Sequence, residues 1–539
     1  MLVYAGDGNQ TVALDNNTVS NARGEHGSVL DMRYSFINIP SPDTILQQVM
    51  MTDNFFSGCQ ANTTGGVVSV RATSSANQNV TLIGNQFYQN RAPSGGVLSV
   101  FGDMDTSVSQ MITFHGNNFT SNSADNDGGV VWLRSASGDQ QLSVDSCTFH
   151  SNIAAMNGGG LFVNGADADS LTLSMFDNTL VNNTVPTGGS YYGGFAYVNV
   201  SILTTLNMSR NVISSSKADF GGVFHVESDL PGSTLSVNVN GDTFTSNEAD
   251  RGGVFFFNFV PCQFDLNVSN CILDHNIALT NGAGFYILGG GHQNVTLRNV
   301  TAMNHAASTG GVMYMLGNNL DHQTLLVDSS NFTNNSITQF GGVFYISAGG
   351  AQIQRAEMTS SYFAKNSAQE GGVLYMQTTA TLDGYISQVL SHDNVYTDNH
   401  ADQEGGVLVV TFMGDGTSAE FRGDQFFANS AAGNSILSIN DTVSVQLDHV
   451  VFQSTQTPLL HCQGSTGMNI SALEVRQYDP AVVIGNVSVK AITLGRLDLE
   501  RADHLPQFPA RLPLFGYATT SPLSYRLDIL SGELEFCLA

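Results

Sequence analysis

The sequence predicts an all-β protein: a right-handed parallel β-helix (a solenoid) of about 14 repeat coils, followed by a degenerate C-terminal β region. Three observations predict it. The first is a recurring stretch. FTSNEADRGGVFFF from Phe244 returns as FYQNRAPSGGVLSV from Phe87, FTSNSADNDGGVVWL from Phe119, FHSNIAAMNGGGLFV from Phe149 and FAKNSAQEGGVLYM from Phe363. The second is its period. Gly-Gly pairs, or degenerate versions of them, fall at Gly27, Gly65, Gly95, Gly128, Gly159, Gly193, Gly221, Gly252, Ala283, Gly310, Gly341, Gly371, Gly405 and Asn434, mostly about 31 residues apart, and a fixed period of this kind marks a solenoid. The third is content. Each unit holds Val/Phe/Ile/Tyr runs, alternations such as Leu235-Ser-Val-Asn-Val and Gly/Asn/Asp/Ser turns, with no apolar run at helical spacing. Two or three short strands in such a unit make one coil, and the general chirality of parallel crossovers makes it right-handed.

Within a coil, alternation assigns the roles. After Gly-Gly-Val the apolar positions two apart, such as Val68/Val70, Leu98/Val100, Phe224/Val226, Phe344/Ile346 and Leu374/Met376, share one face and point inward. The glycines mark a bend that needs a positive φ or a close backbone approach. The Asn of F-x-x-N recurs at Asn90, Asn122, Asn152, Asn247, Asn276, Asn304, Asn335, Asn366, Asn399 and Asn429. Stacked coils place these in a column, where the side-chain amides bond up and down as a ladder. The competing reading is that Asn simply tolerates a left-handed turn.

The pair GGV[LF] with FxxN, in register from roughly Asn9 to Asn440, resembles the repeat of the chlamydial polymorphic membrane proteins and of related microbial and protist surface proteins. That resemblance implies a surface-displayed β-helical passenger involved in adhesion. The family's membrane β-barrel has no counterpart in this sequence, so autotransport does not carry over.

Composition narrows the partners. Asp and Glu number 45 against 18 Lys and Arg, a net charge of −27, which argues against nucleic acid or an anionic membrane surface. Six cysteines are too few for a disulfide framework. Cys462 and Cys537 are the candidate pair, clipping the C-terminal region; the other four read equally well as buried thiols. Sixteen N-x-S/T sequons stand at Asn9, Asn16, Asn62, Asn79, Asn118, Asn182, Asn199, Asn207, Asn267, Asn294, Asn299, Asn331, Asn334, Asn440, Asn469 and Asn486. They mark N-glycosylation sites if the chain is a secreted eukaryotic protein. Repeated N-V-S/T strands inflate their number.

In chain order, Met1–Gly8 reads as the middle of a coil, and no signal peptide or long apolar span appears. Coils run over residues 1–440, degenerate shorter coils over 441–502, and residues 503–539 read as a cap or the start of a further domain. The β-helix also carries polysaccharide lyases and hydrolases, which need clustered carboxylates on an outer face. Here the acids sit mainly in turns, as in ADND from Ala124 and ADQE from Ala401, and the 13 histidines show no metal spacing. No cofactor is expected. One outward position, x in GGV-Φ-x-Φ, holds Trp132, Tyr197, His225, Phe256, Tyr314, Tyr345 and Tyr375, with Ile287 between. Either this aromatic face binds a glycan or a neighbouring subunit, or the chain itself covers it. The expected protein is a non-enzymatic, extracellular rod with structural or adhesive work. Its partners would be itself, other surface-fibre proteins or glycans, with no nucleic acid. The alternative is a polysaccharide-active enzyme or a tail-spike-like glycan binder.

Overall fold

In the computed structural model the coils of the sequence become strands that stack in parallel, turn upon turn. The structure describes residues 2–537 except 6–8, 35–44, 73–75, 103–108, 135–136, 350, 379–385, 413–415, 434, 442–443, 454–456, 466, 479–485, 490–491, 502–522 and 529–532. One turn shows the plan. After the Gly95–Gly96 bend comes a first strand, Leu98–Gly102, then a second, Gln110–His115, a third, Asn118–Thr120, and a short fourth, Ser123–Ala124. Each pairs in parallel with its equivalent one turn on, for example Leu98 with Val131, Phe114 with Val144, Phe119 with Phe149 and Ala124 with Ala154. No described element is a helix.

The core follows the period-2 pattern. The second strand Thr234–Asn240 alternates buried apolar residues with outward Ser236 and Asn238, and the Phe of F-x-x-N is fully buried. Parallel strands repeat every ~4.8 Å, so these phenylalanines stack along the interior: Phe56, Phe87, Phe119 and Phe149 in one unit, and Phe332, Phe363, Tyr396, Phe426 and Phe452 in the other, with neighbouring ring centroids 4.7–5.3 Å apart.

Both roles predicted for the glycine pair are real: the positive φ falls on the first glycine, and both glycines lie close to other backbone. Gly65 has φ +64°, and a Cβ built on Gly66 would lie 2.0 Å from the carbonyl oxygen of Gly96 in the next turn. The bend is a place where two backbones touch.

The chain divides into two compact units, one holding most of residues 1–286 and the other residues 287–539 with a few residues just before them. The solenoid has about 12 turns, not the 14 expected. Among the described residues the short fourth strand occurs in a run of five turns and a run of seven. The turns through Thr184 and Lys217 reduce it to isolated bridges. Asn434 lies outside the described residues. In the C-terminal part, Leu460–Ser465 pairs in parallel with Asn486–Val489, onto which Leu523–Asp528 and then Glu533–Cys537 add in antiparallel fashion.

Candidate functional site

The outward x position forms a true column. In the first unit, pairing aligns Asp31, Ser69, Ser99, Trp132, Phe162, Tyr197, His225 and Phe256, and Tyr286 stacks on Phe256 at 4.7 Å. In the second unit the column is Tyr314, Tyr345 and Tyr375, then Val409 and Ser438. The sequence reading missed Phe162 and Tyr286 and placed Ile287 in the column, where it does not belong; Ile287 is buried. The cause is a one-residue slip in Gly158-Gly159-Gly160 and Gly282-Ala283-Gly284. The positive φ falls on Gly158 and Gly282, one residue before the positions read as first glycines, and a shift of one inverts the face of every residue in the strand.

The rings are arranged like coins in a roll. Phe162–Tyr197, Tyr197–His225, His225–Phe256 and Tyr314–Tyr345 lie 5.0, 5.4, 4.9 and 4.7 Å apart, with interplanar angles of 8°, 8°, 11° and 8°. Sugars stack on ring faces, and here the faces are occupied by neighbouring rings. In the middle of the first unit the chain itself covers the column. Tyr197, Phe256 and His225 are only 9%, 5% and 1% exposed. The residue before each Gly-Gly pair covers them: Tyr192 and Phe220 lean onto Tyr197, His225 and Phe256 at 4.5–6.1 Å, and Arg251 lies over Phe220 and Tyr286. Trp132, Tyr314, Tyr345 and Tyr375 remain half-buried.

One polar cluster sits within this column. Tyr197 donates its hydroxyl to Glu227, and His225 Nε2 lies 3.0 Å from the other carboxylate oxygen, while His225 Nδ1 has no partner. Burial lowers the His225 pKa, against the pull of Glu227. Burial alone would raise Glu227, but the bonds from His225 and Tyr197 hold its carboxyl below the ordinary range. The Tyr197 hydroxyl is pushed upward by burial and by the Glu227 charge. His225 is enclosed by rings, while the Glu227 side chain keeps 22% of its surface exposed, and the cluster ties two turns together.

The Asn ladder is present, and it is one of two. Asn122 is fully buried. Its Nδ2 donates to Phe87 O and Asn152 Oδ1, both at 3.0 Å, and its Oδ1 accepts the backbone N–H and the Nδ2 of Asn90, again at 3.0 Å. The same pattern links Asn152 to Asn183, Asn247 to Asn276, and Asn335 through Asn366 and Asn399 to Asn429. The left-handed residue is the one before each ladder Asn, such as Gln89, Ser121, Ser151 and Lys365. Tolerance of that conformation therefore does not explain the Asn. Asn304 is the exception: it has φ +60° itself, and His305 takes the ladder position, its N–H donating to Asn335.

The second ladder, at the corner two residues before the Phe, was not anticipated. It runs Asn54, Asn85, Asn117, Cys147, Asn178, Asn211 and Asp242 in the first unit, and Ser330, Ser361, Asn394 and Asp424 in the second. The signal was in plain view as N-x-F-x-x-N from Asn85 and from Asn117. A glutamine ladder, Gln10, Gln47, Gln78, Gln110 and Gln140, accompanies them.

These columns explain the cysteines. Cys59 and Cys147 occupy ladder positions, and Cys59, Cys147, Cys262, Cys271 and Cys462 are all free and buried. The proposed Cys462–Cys537 bridge is not formed. The strand of Cys462 is separated from that of Cys537 by two intervening strands. Three spacings of ~4.8 Å exceed the ~7 Å limit on Cα separation.

None of the sequon asparagines with a described side chain is buried, and Asn486 lies outside the described side chains. The structure also shows why they are numerous. In a strand, residues i and i+2 share a face, so an outward polar pair such as Asn79/Thr81, Asn267/Ser269 or Asn331/Thr333 spells N-x-S/T. Among the described residues no helix is long and apolar enough to cross a membrane, and no His/Cys/Asp/Glu group is arranged to hold a metal ion.

No protein-family model matches the chain, and no curated protein or solved structure matches it significantly.

Proposed function

We propose that the chain is a non-enzymatic, extracellular structural or adhesive protein, a subunit of a cell-surface fibre or filament that binds copies of itself or other surface-fibre proteins. The observation that carries this reading is where the repeated side chains spend their contacts. The faces of the outer rings and the interior amides are satisfied by the turns above and below. A residue engaged with its neighbours in every turn contributes cohesion along the stack, which is what a scaffold requires. Outward-facing sequons and the likeness of the GGV/FxxN repeat to surface-displayed passengers support the same reading. The test is immunogold labelling of intact source cells, with electron microscopy of the protein released from them. Surface label, and filaments with a regular axial repeat, are expected. Label that appears only after the cells are permeabilised would overturn the reading.

A further inference from the structure

The outer column of the first unit changes character at its early turns. From Trp132 onward it is aromatic; before that it is Ser99 and Ser69. Two rings are missing from the roll, and a cleft of about 180 Å³ stands in their place, lined by His26, Arg33, Thr64, Ser69, Arg71, Ser99, Phe101 and Trp132. Phe101, at the next outward position, stacks on Trp132 at 5.9 Å. The guanidinium of Arg71 lies 5.1 Å from the centre of the Phe101 ring.

The charge of this cleft is opposite to that of the protein. In a chain of net charge −27, Arg33, Arg71 and His26 converge here. Arg33 is held by the carboxylate of Asp31 at 2.6 Å. Arg71 is exposed, and among the described residues it has no carboxylate partner. Burial and the charge of Arg33 lower the His26 pKa, which leaves a neutral imidazole hydrogen-bonded to the Thr63 hydroxyl. Among the described residues the side-chain hydroxyls of Ser69 and Ser99, residues 5% and 2% exposed, make no hydrogen bond. The lining thus offers an unpaired guanidinium for an anion, two free hydroxyls and an apolar ring wall, the mixture that selects a small ring carrying both hydroxyls and a negative charge.

We propose that this cleft binds one acidic sugar unit, its carboxylate or sulfate on Arg71, its ring hydroxyls on Ser69 and Ser99, and its apolar edge against Phe101 and Trp132. The inference does not rest on the fibre reading, since it concerns a single chain in solution. Trp132 is the chain's only tryptophan, so its fluorescence reports on the cleft. The titration uses a uronic-acid oligosaccharide, a sulfated oligosaccharide and a neutral oligosaccharide of equal length, with calorimetry as a second readout. A saturable response to one or both anionic sugars is expected; which of the two responds identifies the anion. Binding should weaken at least tenfold in Arg71→Ala. It should also be lost in Ser99→Phe, which fills the cleft with a ring at a column position that holds rings in the following turns and is therefore compatible with folding. Thermal melts of both variants confirm that they fold. An absent response to both anionic sugars, an equal response to the neutral one, or unchanged binding by folded Arg71→Ala and Ser99→Phe would each overturn the proposal.

Discussion

Replacing Asp424 by Asn should stabilise the protein at pH 8 and leave it nearly unchanged at pH 4. Asp424 is fully buried at a ladder corner, immediately after Gly423 with φ +67°. Its Oδ1 accepts the N–H of Asn394 at 2.8 Å, and its Oδ2 has no hydrogen-bond partner. Burial, aided by the nearby Asp393 charge, pushes its carboxyl up to about 7 against the hydrogen bonds that favour the anion. An unfolded carboxyl titrates near 3.8, so the difference is about 3 units. At about 1.4 kcal/mol per unit this is at most about 4 kcal/mol. The folded pKa is raised, so the stability is fully present below about pH 4 and is lost as pH rises through about 7. An Asn has no charge to bury and keeps the Oδ1 acceptor. Its new amide would face the carbonyl of Ser391, the register partner of Met358, to which Asn394 donates at 2.7 Å one turn earlier. The assay is urea unfolding of wild type and Asp424→Asn at pH 4, 6 and 8, followed by near-ultraviolet circular dichroism. A gain of several kcal/mol at pH 8 that disappears by pH 4 is expected. A pH-independent difference, or a loss at pH 8, would refute the reasoning, because it would mean that Asp424 is not buried as an unsatisfied anion.

Three further outcomes follow from the same geometry. Asn122→Ala leaves the N–H of Asn90 buried without a partner and removes one of the donors to the carbonyl of Phe87; at 1–3 kcal/mol for an orphaned group, a loss of about 1–3 kcal/mol is expected in urea unfolding. The glycines divide by cause: Gly66→Ala drives a Cβ to 2.0 Å from the Gly96 carbonyl and should break the local stack, whereas Gly116→Ala meets nothing within 4 Å and should cost only the ~1–2 kcal/mol of a left-handed alanine. Thermal melts of the two variants distinguish them. The thiols of Cys59, Cys147, Cys262, Cys271 and Cys462 are buried, with Cys147 pushed up to about 11 and Cys262 and Cys462 to about 12. Thiol titration at pH 8 should leave all five unreacted until denaturant is added, and rapid labelling of the native protein would contradict their placement.

The fold was legible because its cause is periodic. Alternation along Leu235–Val239 places side chains by parity alone, and a Gly-Gly pair every ~31 residues locates the bend without reference to other residues. What was misread turned on single-residue offsets. In Gly158-Gly159-Gly160 any adjacent pair fits the motif, and only the backbone angle at Gly158 shows which pair makes the bend. Asn304 and His305 differ by the same one step, since a corner consists of a left-handed residue followed by a ladder residue, and Asn suits both places. The covering of His225 was invisible for another reason. It depends on Tyr192, as that of Phe256 depends on Phe220; both lie before the Gly-Gly pairs of their own turns and reach the column only through the fold.

The second ladder shows what such a column selects. Its members are chemically mixed, yet each accepts a backbone N–H from the preceding turn: Asn117 donates to Cys147 Sγ at 3.4 Å, Val300 to Ser330 Oγ at 3.0 Å, Ser330 to Ser361 Oγ at 3.1 Å, and Asn211 to Asp242 Oδ1 at 2.7 Å. The constant requirement is an acceptor for the corner amide, which the left-handed residue turns away from the regular strand ladder and which would otherwise be buried unpaired. Asn meets that requirement and adds a donor to a carbonyl of the preceding turn; Ser330, Ser361 and Cys147 meet it and donate instead to a carbonyl of their own turn. Asp meets it by holding a carboxylate away from water, and the Asp242 carboxyl rises to about 6 as a result. A search for a repeated amide finds only part of this column, because a hydroxyl, a thiol and a carboxylate can each take the same hydrogen bond.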